Sequence, residues 1–193
     1  MTLTGIFEFY DRYFNYGKSI NSKENKYFYL AIRDFIKILK KSTCLDYKST
    51  IEDYISSKCN NDIAIKFLRN FEKFIYSRGS KFLFELEFCE AYIIINKGEL
   101  ETARKGIKIP FVYLLDKNNL DCILITYFTS GSMLKETEVF KGLISSFKID
   151  KSFPENIENI VYWDVSSGKE SKINYKKVKE TPKGNLLAVI NQI

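Results

Sequence analysis

The spacing of apolar residues changes along the chain, and this change limits the folds that are open to it. Over most of the chain before Gly106, apolar residues recur every three or four positions, which is typical of amphipathic helices. After Gly106, the segments IKIPFVYLL and LDCILITYF are rich in β-branched and aromatic residues and flank a DKNN turn, which predicts a β-hairpin. A helical first half followed by strands indicates an α+β protein.

The first half contains four segments with helical spacing, at residues 3–16, 23–41, 50–58 and 63–78. The apolar faces of the two longest segments are Phe28, Ala31, Ile32, Phe35 and Leu39 in one, and Ala64, Phe67, Leu68, Phe71 and Ile75 in the other. Both faces must be buried, so we expect an N-terminal helical array.

The second half begins with a segment whose pattern fits two structures. Over 81–96, phenylalanines alternate with glutamates as in a strand, but the run has no helix breaker, and we interpret 81–105 as a helical hairpin. Further on, we expect the hairpin described above, a helix at 133–147, a second hairpin around Ser166–Lys169 and a terminal strand in NLLAVINQ. The predicted order is β-β-α-β-β-β, which forms a mostly antiparallel sheet with one packed helix. Residues 1–80 and 81–193 are the two expected parts, and one compact unit is the alternative.

The absence of histidine excludes several kinds of site. Without histidine, Ser-His-Asp and Cys-His nucleophilic sites and His-bearing zinc sites cannot form. The four cysteines are far apart and form no C-x-x-C pair, so we interpret them as reduced thiols. No glycine-rich phosphate loop, signal peptide or membrane-spanning run is evident, so we expect a cytoplasmic protein without cofactor or membrane partner.

Positive charge is concentrated in the first half. Residues 1–80 carry 14 Lys and Arg against 9 Asp and Glu, within a net charge of +6 for the whole chain. On the predicted helices, the basic residues lie opposite the apolar faces, as Lys26, Arg33, Lys37 and Lys40 in one helix and Lys66, Arg69 and Lys73 in the other. Such stripes can neutralise DNA phosphates, and a simply solvated face is the alternative.

The helical segments YLAIRDFIKILKK, STIEDYISSK and AIKFLRNFEKFIYSRG carry a family resemblance. Over residues 26–79, their order resembles the core-binding, SAM-like domain of tyrosine recombinases. The catalytic pattern of that family needs arginines, a His-x-x-Arg motif and a nucleophilic tyrosine, and a chain without histidine cannot supply it. The resemblance therefore implies binding of DNA without strand transfer, and no catalytic residue is carried over.

Two further groups of residues suggest other functions. Asp164, Glu170 and Lys172 follow the order of the PD-(D/E)xK nucleases, in which carboxylates bind Mg²⁺ and the lysine steadies the attacking water. Here the Glu-x-Lys segment is polar and adjoins a turn, which departs from that pattern. In the first helix, aromatic residues cover more of the circumference than one buried face requires, and they could bind a protein partner or a second copy, or simply form core: Phe9, Tyr10, Tyr13 and Phe14.

These observations lead to one principal hypothesis and two alternatives. We expect a non-catalytic, DNA-binding regulatory or accessory factor, of the kind that mobile elements encode. The alternatives are a protein-binding adaptor or inhibitor that uses the aromatic first helix, and a Mg²⁺-dependent nuclease.

Overall fold

The structure is a computed structural model that describes residues 2–14, 27–28, 31–32, 47–58, 61–78, 86–95, 105–115, 120–127, 133–149 and 156–192. In these residues the helices are α1 (Ile6–Phe14), α2 (Tyr47–Lys58), α3 (Asp62–Arg78), α4 (Met133–Ser146) and α5 (Lys183–Ile190), with a 3-10 helix at Tyr175–Lys177. The strands are β1 (Thr2–Gly5), β2 (Leu86–Ile95), β3 (Lys105–Leu115), β4 (Leu120–Thr126), β5 (Lys148–Ile149), β6 (Ile157–Asp164) and β7 (Lys169–Asn174).

The strands form one seven-stranded mixed sheet. Six of them lie in the order β5-β2-β3-β4-β6-β7, and β1 pairs with the first part of β3. The pairs β1–β3 and β4–β6 are parallel, and the other four pairs are antiparallel. Parallel neighbours need a long crossover, and α4 supplies it between β4 and β6. The protein is therefore α+β, as predicted.

Strand β6 lies at the centre of the core and is covered on both faces. The ring of Trp163 stacks on Phe74 of α3, with centroids 5.2 Å apart, so α3 lies on one face. The adjacent residue, Tyr162, points to the other face, where its hydroxyl lies 2.9 Å from Thr137 Oγ1 of α4. Buried residues from both halves of the chain belong to one hydrophobic cluster around this strand.

The helical hairpin predicted for 81–105 is wrong, because Leu86–Ile95 forms β2 and Lys105 already belongs to β3. β2 pairs antiparallel with β3 along its whole length, from Leu86↔Leu114 to Ile95↔Lys105. The sequence pattern fitted both structures, and the ladder to the next strand decides in favour of the strand.

Both ends of the chain also differ from the prediction. The helix expected over 3–16 begins only at Ile6, because Thr2–Gly5 pairs parallel with Lys105–Lys108. The terminal strand expected in NLLAVINQ is helix α5, which buries Leu186 and Ile190, four residues apart, on one side.

Other predictions are confirmed. The two hairpins form as β3–β4 and β6–β7, and the turn of the second contains Gly168 at φ 72°, a conformation that favours glycine. The helix expected at 133–147 is α4. Most of the helix expected at 23–41 lies outside the described residues, although Phe28, Ala31 and Ile32 are buried as expected.

None of the helices in the described parts of the chain combines the length and the apolar character needed to cross a membrane.

Candidate functional site

The outward face of α3 is the candidate binding surface that the structure describes best. The helix buries one side against the sheet through Ala64, Phe67, Leu68, Asn70, Phe71, Phe74 and Ile75. Lys66 and Lys73 lie away from that side and are exposed. They are seven residues apart, which places them about 10 Å apart along the helix axis. The helical spacing therefore predicts their exposure correctly.

Arg69 lies between these two lysines, but its charge is already balanced. Its Nη2 donates to Glu52 Oε2 of α2 at 2.8 Å, Nη1 donates to the other oxygen of Glu52, and Nη1 also lies 3.3 Å from Glu72 Oε2. The hydrogen bonds to Glu52 raise the pKa of Arg69 above its ordinary value. Two carboxylates thus neutralise the middle of the predicted stripe. The sequence indicates this ion pair only weakly, because Glu52 lies 17 positions before Arg69.

The second predicted stripe cannot be placed. Lys26, Arg33, Lys37 and Lys40 lie outside the described residues.

The aromatic residues proposed as a partner surface mostly belong to the core. Phe9 is 0% exposed and Tyr10 is 1% exposed, while Tyr13 and Phe14 are half-buried and pack against the core cluster. Tyr13 and Phe14 also pack edge-to-face, with ring centroids 4.9 Å apart. Phe9 and Tyr10 therefore fit the alternative interpretation of this group, which is that its rings form part of the core.

The proposed nuclease residues are not brought together. In the β6–β7 ladder Trp163 pairs with Glu170 and Asp164 pairs with Lys169. Neighbouring residues of a strand face opposite sides, so Asp164 faces the α4 side, while Glu170 and Lys172 face the α3 side.

The carboxylate of Asp164 accepts hydrogen bonds from two serines of the β6–β7 turn. It is fully buried, and its Oδ1 accepts hydrogen bonds from Ser166 N at 2.8 Å and Ser166 Oγ at 2.7 Å. Its Oδ2 accepts a hydrogen bond from Ser167 Oγ at 2.6 Å. The carboxylate thus stabilises the β6–β7 turn, as acidic residues at turn starts often do.

Glu170 and Lys172 belong to a polar network that the sequence did not reveal. Glu170 accepts hydrogen bonds from Arg78 Nη2 at 2.9 Å and from Trp163 Nε1 at 2.8 Å. Lys172 Nζ donates to Asp121 Oδ2 at 3.0 Å, and the same oxygen lies 3.6 Å from Arg78 Nη1. The only signal was an aspartate within the apolar run LDCILIT.

The network joins the end of α3 to strands β4, β6 and β7. Asp121 is 4% exposed, and its other oxygen accepts a hydrogen bond from Asn159 Nδ2 at 2.8 Å. Asp121 is the buried charge of this network, and its pairing with Arg78 and Lys172 is the condition under which a buried carboxylate is tolerated. In the described residues no group of three or more acidic or cysteine side chains is arranged to hold a metal ion.

Glu136 of α4 is a buried carboxylate without such a network among the residues the structure describes. It is 4% exposed, and its Oε1 has no hydrogen-bond partner. Burial raises its pKa to about 8. At neutral pH this side chain is therefore mostly protonated and uncharged.

Comparisons with protein-family models, with curated proteins and with solved structures find no match to this chain.

Proposed function

We propose that the protein is a non-catalytic DNA-binding factor, regulatory or accessory in role, which contacts DNA through the outward face of α3. The observation that carries this proposal is the fixed orientation of the helix. Because its apolar side is buried on the sheet, Lys66 and Lys73 are held in solvent on the opposite side. Each lysine that meets a phosphate releases condensed counterions, which makes the binding sensitive to salt.

The charges beside these lysines set the expected strength of binding. Glu52 and Glu72 both pair with Arg69, which lies between Lys66 and Lys73, so these five side chains together carry a net charge of only +1. Contacts of this kind position a protein on the phosphate backbone but do not read the base sequence. We therefore expect modest, sequence-independent affinity from α3 alone.

A binding role is favoured over catalysis by the state of the carboxylates. Asp164 accepts hydrogen bonds from the residues of its own turn. Glu170 accepts a hydrogen bond from Arg78, and Asp121 accepts one from Lys172. A metal-dependent nuclease needs carboxylate oxygens that are available to the ion.

Measurement of DNA affinity against salt concentration tests the proposal. Fluorescence anisotropy with a labelled duplex should show binding by the wild type that weakens steeply as salt rises. The variant K66Q/K73Q should bind more weakly and with a shallower salt dependence. The variant Glu52→Gln removes a negative charge beside the stripe and should bind more tightly.

Lys148→Gln is the matched control. Lys148 is exposed on β5, at the opposite edge of the sheet from β7, and its loss should leave the α3 contact unchanged. Failure of the wild type to bind duplex DNA at low salt would refute the proposal. Weakening by Glu52→Gln would also count against it.

A further inference from the structure

We infer that residues Lys169–Lys183, here called the C-terminal basic segment, form a second surface for the phosphate backbone of DNA. This inference rests on the proposed function. The segment contains six lysines and two glutamates, a net charge of +4 within fifteen residues. That is a higher density of positive charge than the described face of α3 carries. Charge counted over the whole second half hides it, because acidic residues elsewhere balance the total.

Burial of one residue fixes the direction of its two neighbours. Val178 is 7% exposed and anchors the segment, while Lys177 and Lys179 on either side of it are exposed. No carboxylate of the described residues lies within ion-pair distance of Lys177 or Lys179. Their charges are therefore available to an anionic partner.

The backbone under these lysines is held in place. Lys141 Nζ of α4 donates to Val178 O at 3.0 Å and to Tyr175 O at 3.3 Å. Asn174 Oδ1 accepts a hydrogen bond from Lys177 N at 3.2 Å and caps the 3-10 helix. A surface that is already ordered loses less conformational entropy when it binds.

Protection of the sheet edge explains only part of the charge. Among the described strands β7 lies at an edge of the sheet, and lysines on edge strands discourage pairing with other chains. This accounts for Lys169 and Lys172, and Lys172 is also bound to Asp121. Lys177 and Lys179 follow the end of β7 at Asn174, where there is no strand edge to protect.

The chemistry of the segment fits a phosphate backbone better than a protein partner. Protein interfaces depend on apolar and aromatic anchors that become buried on binding. In the segment Val178 is buried, and Ile173 and Tyr175 already pack against the core. The exposed large apolar side chains among the described residues are Tyr76 and Leu134, and both lie elsewhere. What the segment offers is amino groups, which neutralise phosphates.

Single-charge variants test the inference. Lys177→Gln and Lys179→Gln each remove one positive charge, and Lys148→Gln removes one from the opposite edge of the sheet. For each protein, the affinity for a labelled duplex is measured at several salt concentrations. We expect the slope of log affinity against log salt to become shallower by about 0.9 for each segment variant, the value for one lost phosphate contact. Lys148→Gln should keep the wild-type slope, and Trp163 fluorescence should confirm that all three variants are folded.

The outcomes separate this inference from the proposed function. If the wild type binds DNA and K66Q/K73Q weakens it, but Lys177→Gln and Lys179→Gln behave as Lys148→Gln does, the segment is not a contact surface and the proposed function stands. If the wild type does not bind DNA at all, the proposed function and this inference are both refuted. If the wild type prefers vesicles that contain phosphatidylserine over the duplex, and the segment variants lose that binding, the partner is a membrane surface and the inference is overturned.

Discussion

The carboxyl group of Glu136 is buried in α4, and its Oε1 finds no hydrogen-bond donor in the described structure. Residues 133, 140 and 143, which the sequence places on the inward face of this helix, lie within one or two turns of it. The same helical spacing places Glu136 in the middle of that face. A helical-wheel projection of the predicted helix could therefore have placed Glu136 on the buried face. It could not have shown that the carboxyl group lacks a hydrogen-bond donor.

Burial of Glu136 should make the stability of the protein depend on pH. The pKa is 4.5 in its ordinary environment and rises to about 8 in the folded state. Below pH 4.5 the group is protonated in both states and costs nothing. As pH rises from 4.5 to 8, Glu136 ionises in the unfolded state before it ionises in the folded state. The free energy of unfolding therefore decreases progressively over this range.

Glu136→Gln should remove this loss. In urea denaturation followed by Trp163 fluorescence, the variant and the wild type should have similar midpoints at pH 5, and the variant should be the more stable at pH 8. Glu138→Gln, on the same helix but more exposed, is the control and should follow the wild type. A difference between Glu136→Gln and the wild type that does not change with pH would contradict this explanation.

At the level of elements, the contact between α4 and the chain before α5 is unusually close. A Cβ atom added to Gly142 would lie 2.4 Å from the backbone oxygen of Thr181, and Thr181 N donates to Glu138 O at 3.1 Å. The contact is between backbone atoms of both segments, so no side chain can change its rotamer to make room for a Cβ atom. Only glycine allows this approach.

Gly142→Ala should therefore destabilise the protein. Overpacking costs about 1–3 kcal/mol, and the better helix propensity of alanine offsets about 1 kcal/mol of it. We expect a net loss of about 1 kcal/mol in the free energy of unfolding by urea denaturation. Gly184→Ala is the matched control, because nothing lies within 4 Å of a Cβ there and α5 should gain slightly. Equal effects of the two substitutions would show that the contact with Thr181 is unimportant.

The elements that the sequence predicted well are those whose pattern is strong within the segment itself. α3 and α4 have long amphipathic faces, and the two hairpins have turn residues between strand-like runs. β2 and α5 were predicted wrongly because short apolar runs fit either structure, and contacts distant in sequence decide them. β1 has four residues and is stabilised by a strand about a hundred positions away, which no local pattern can indicate.

For the whole molecule, Trp163 connects the two halves of the chain. It is the single tryptophan, it is fully buried on β6, and its ring contacts Phe71 and Phe74 of α3. Its fluorescence therefore reports the docking of the first half onto the sheet. Charge balance at this scale could not be predicted, because Arg69 and Asp121 meet partners from distant elements.

Unfolding by urea should be a single transition. If the halves unfold together, the change in Trp163 emission and the loss of far-UV circular dichroism should have the same midpoint. Two separated midpoints would show that residues 1–80 and 81–193 are independently stable domains. The variant Phe74→Ala, which removes the stacked ring, should move both midpoints to lower urea together, and Lys66→Ala, an exposed position on the same helix, should move neither.

The parallel pair β1–β3 has a consequence for the order in which the chain becomes structured during synthesis. Thr2 is synthesised about a hundred residues before Lys105, its partner in the ladder. β1 therefore cannot pair until β3 has been synthesised, so this part of the sheet forms late relative to the synthesis of β1. Until β3 has been synthesised, the backbone hydrogen-bonding groups of β1 lack their partner strand and are open to pairing with other chains.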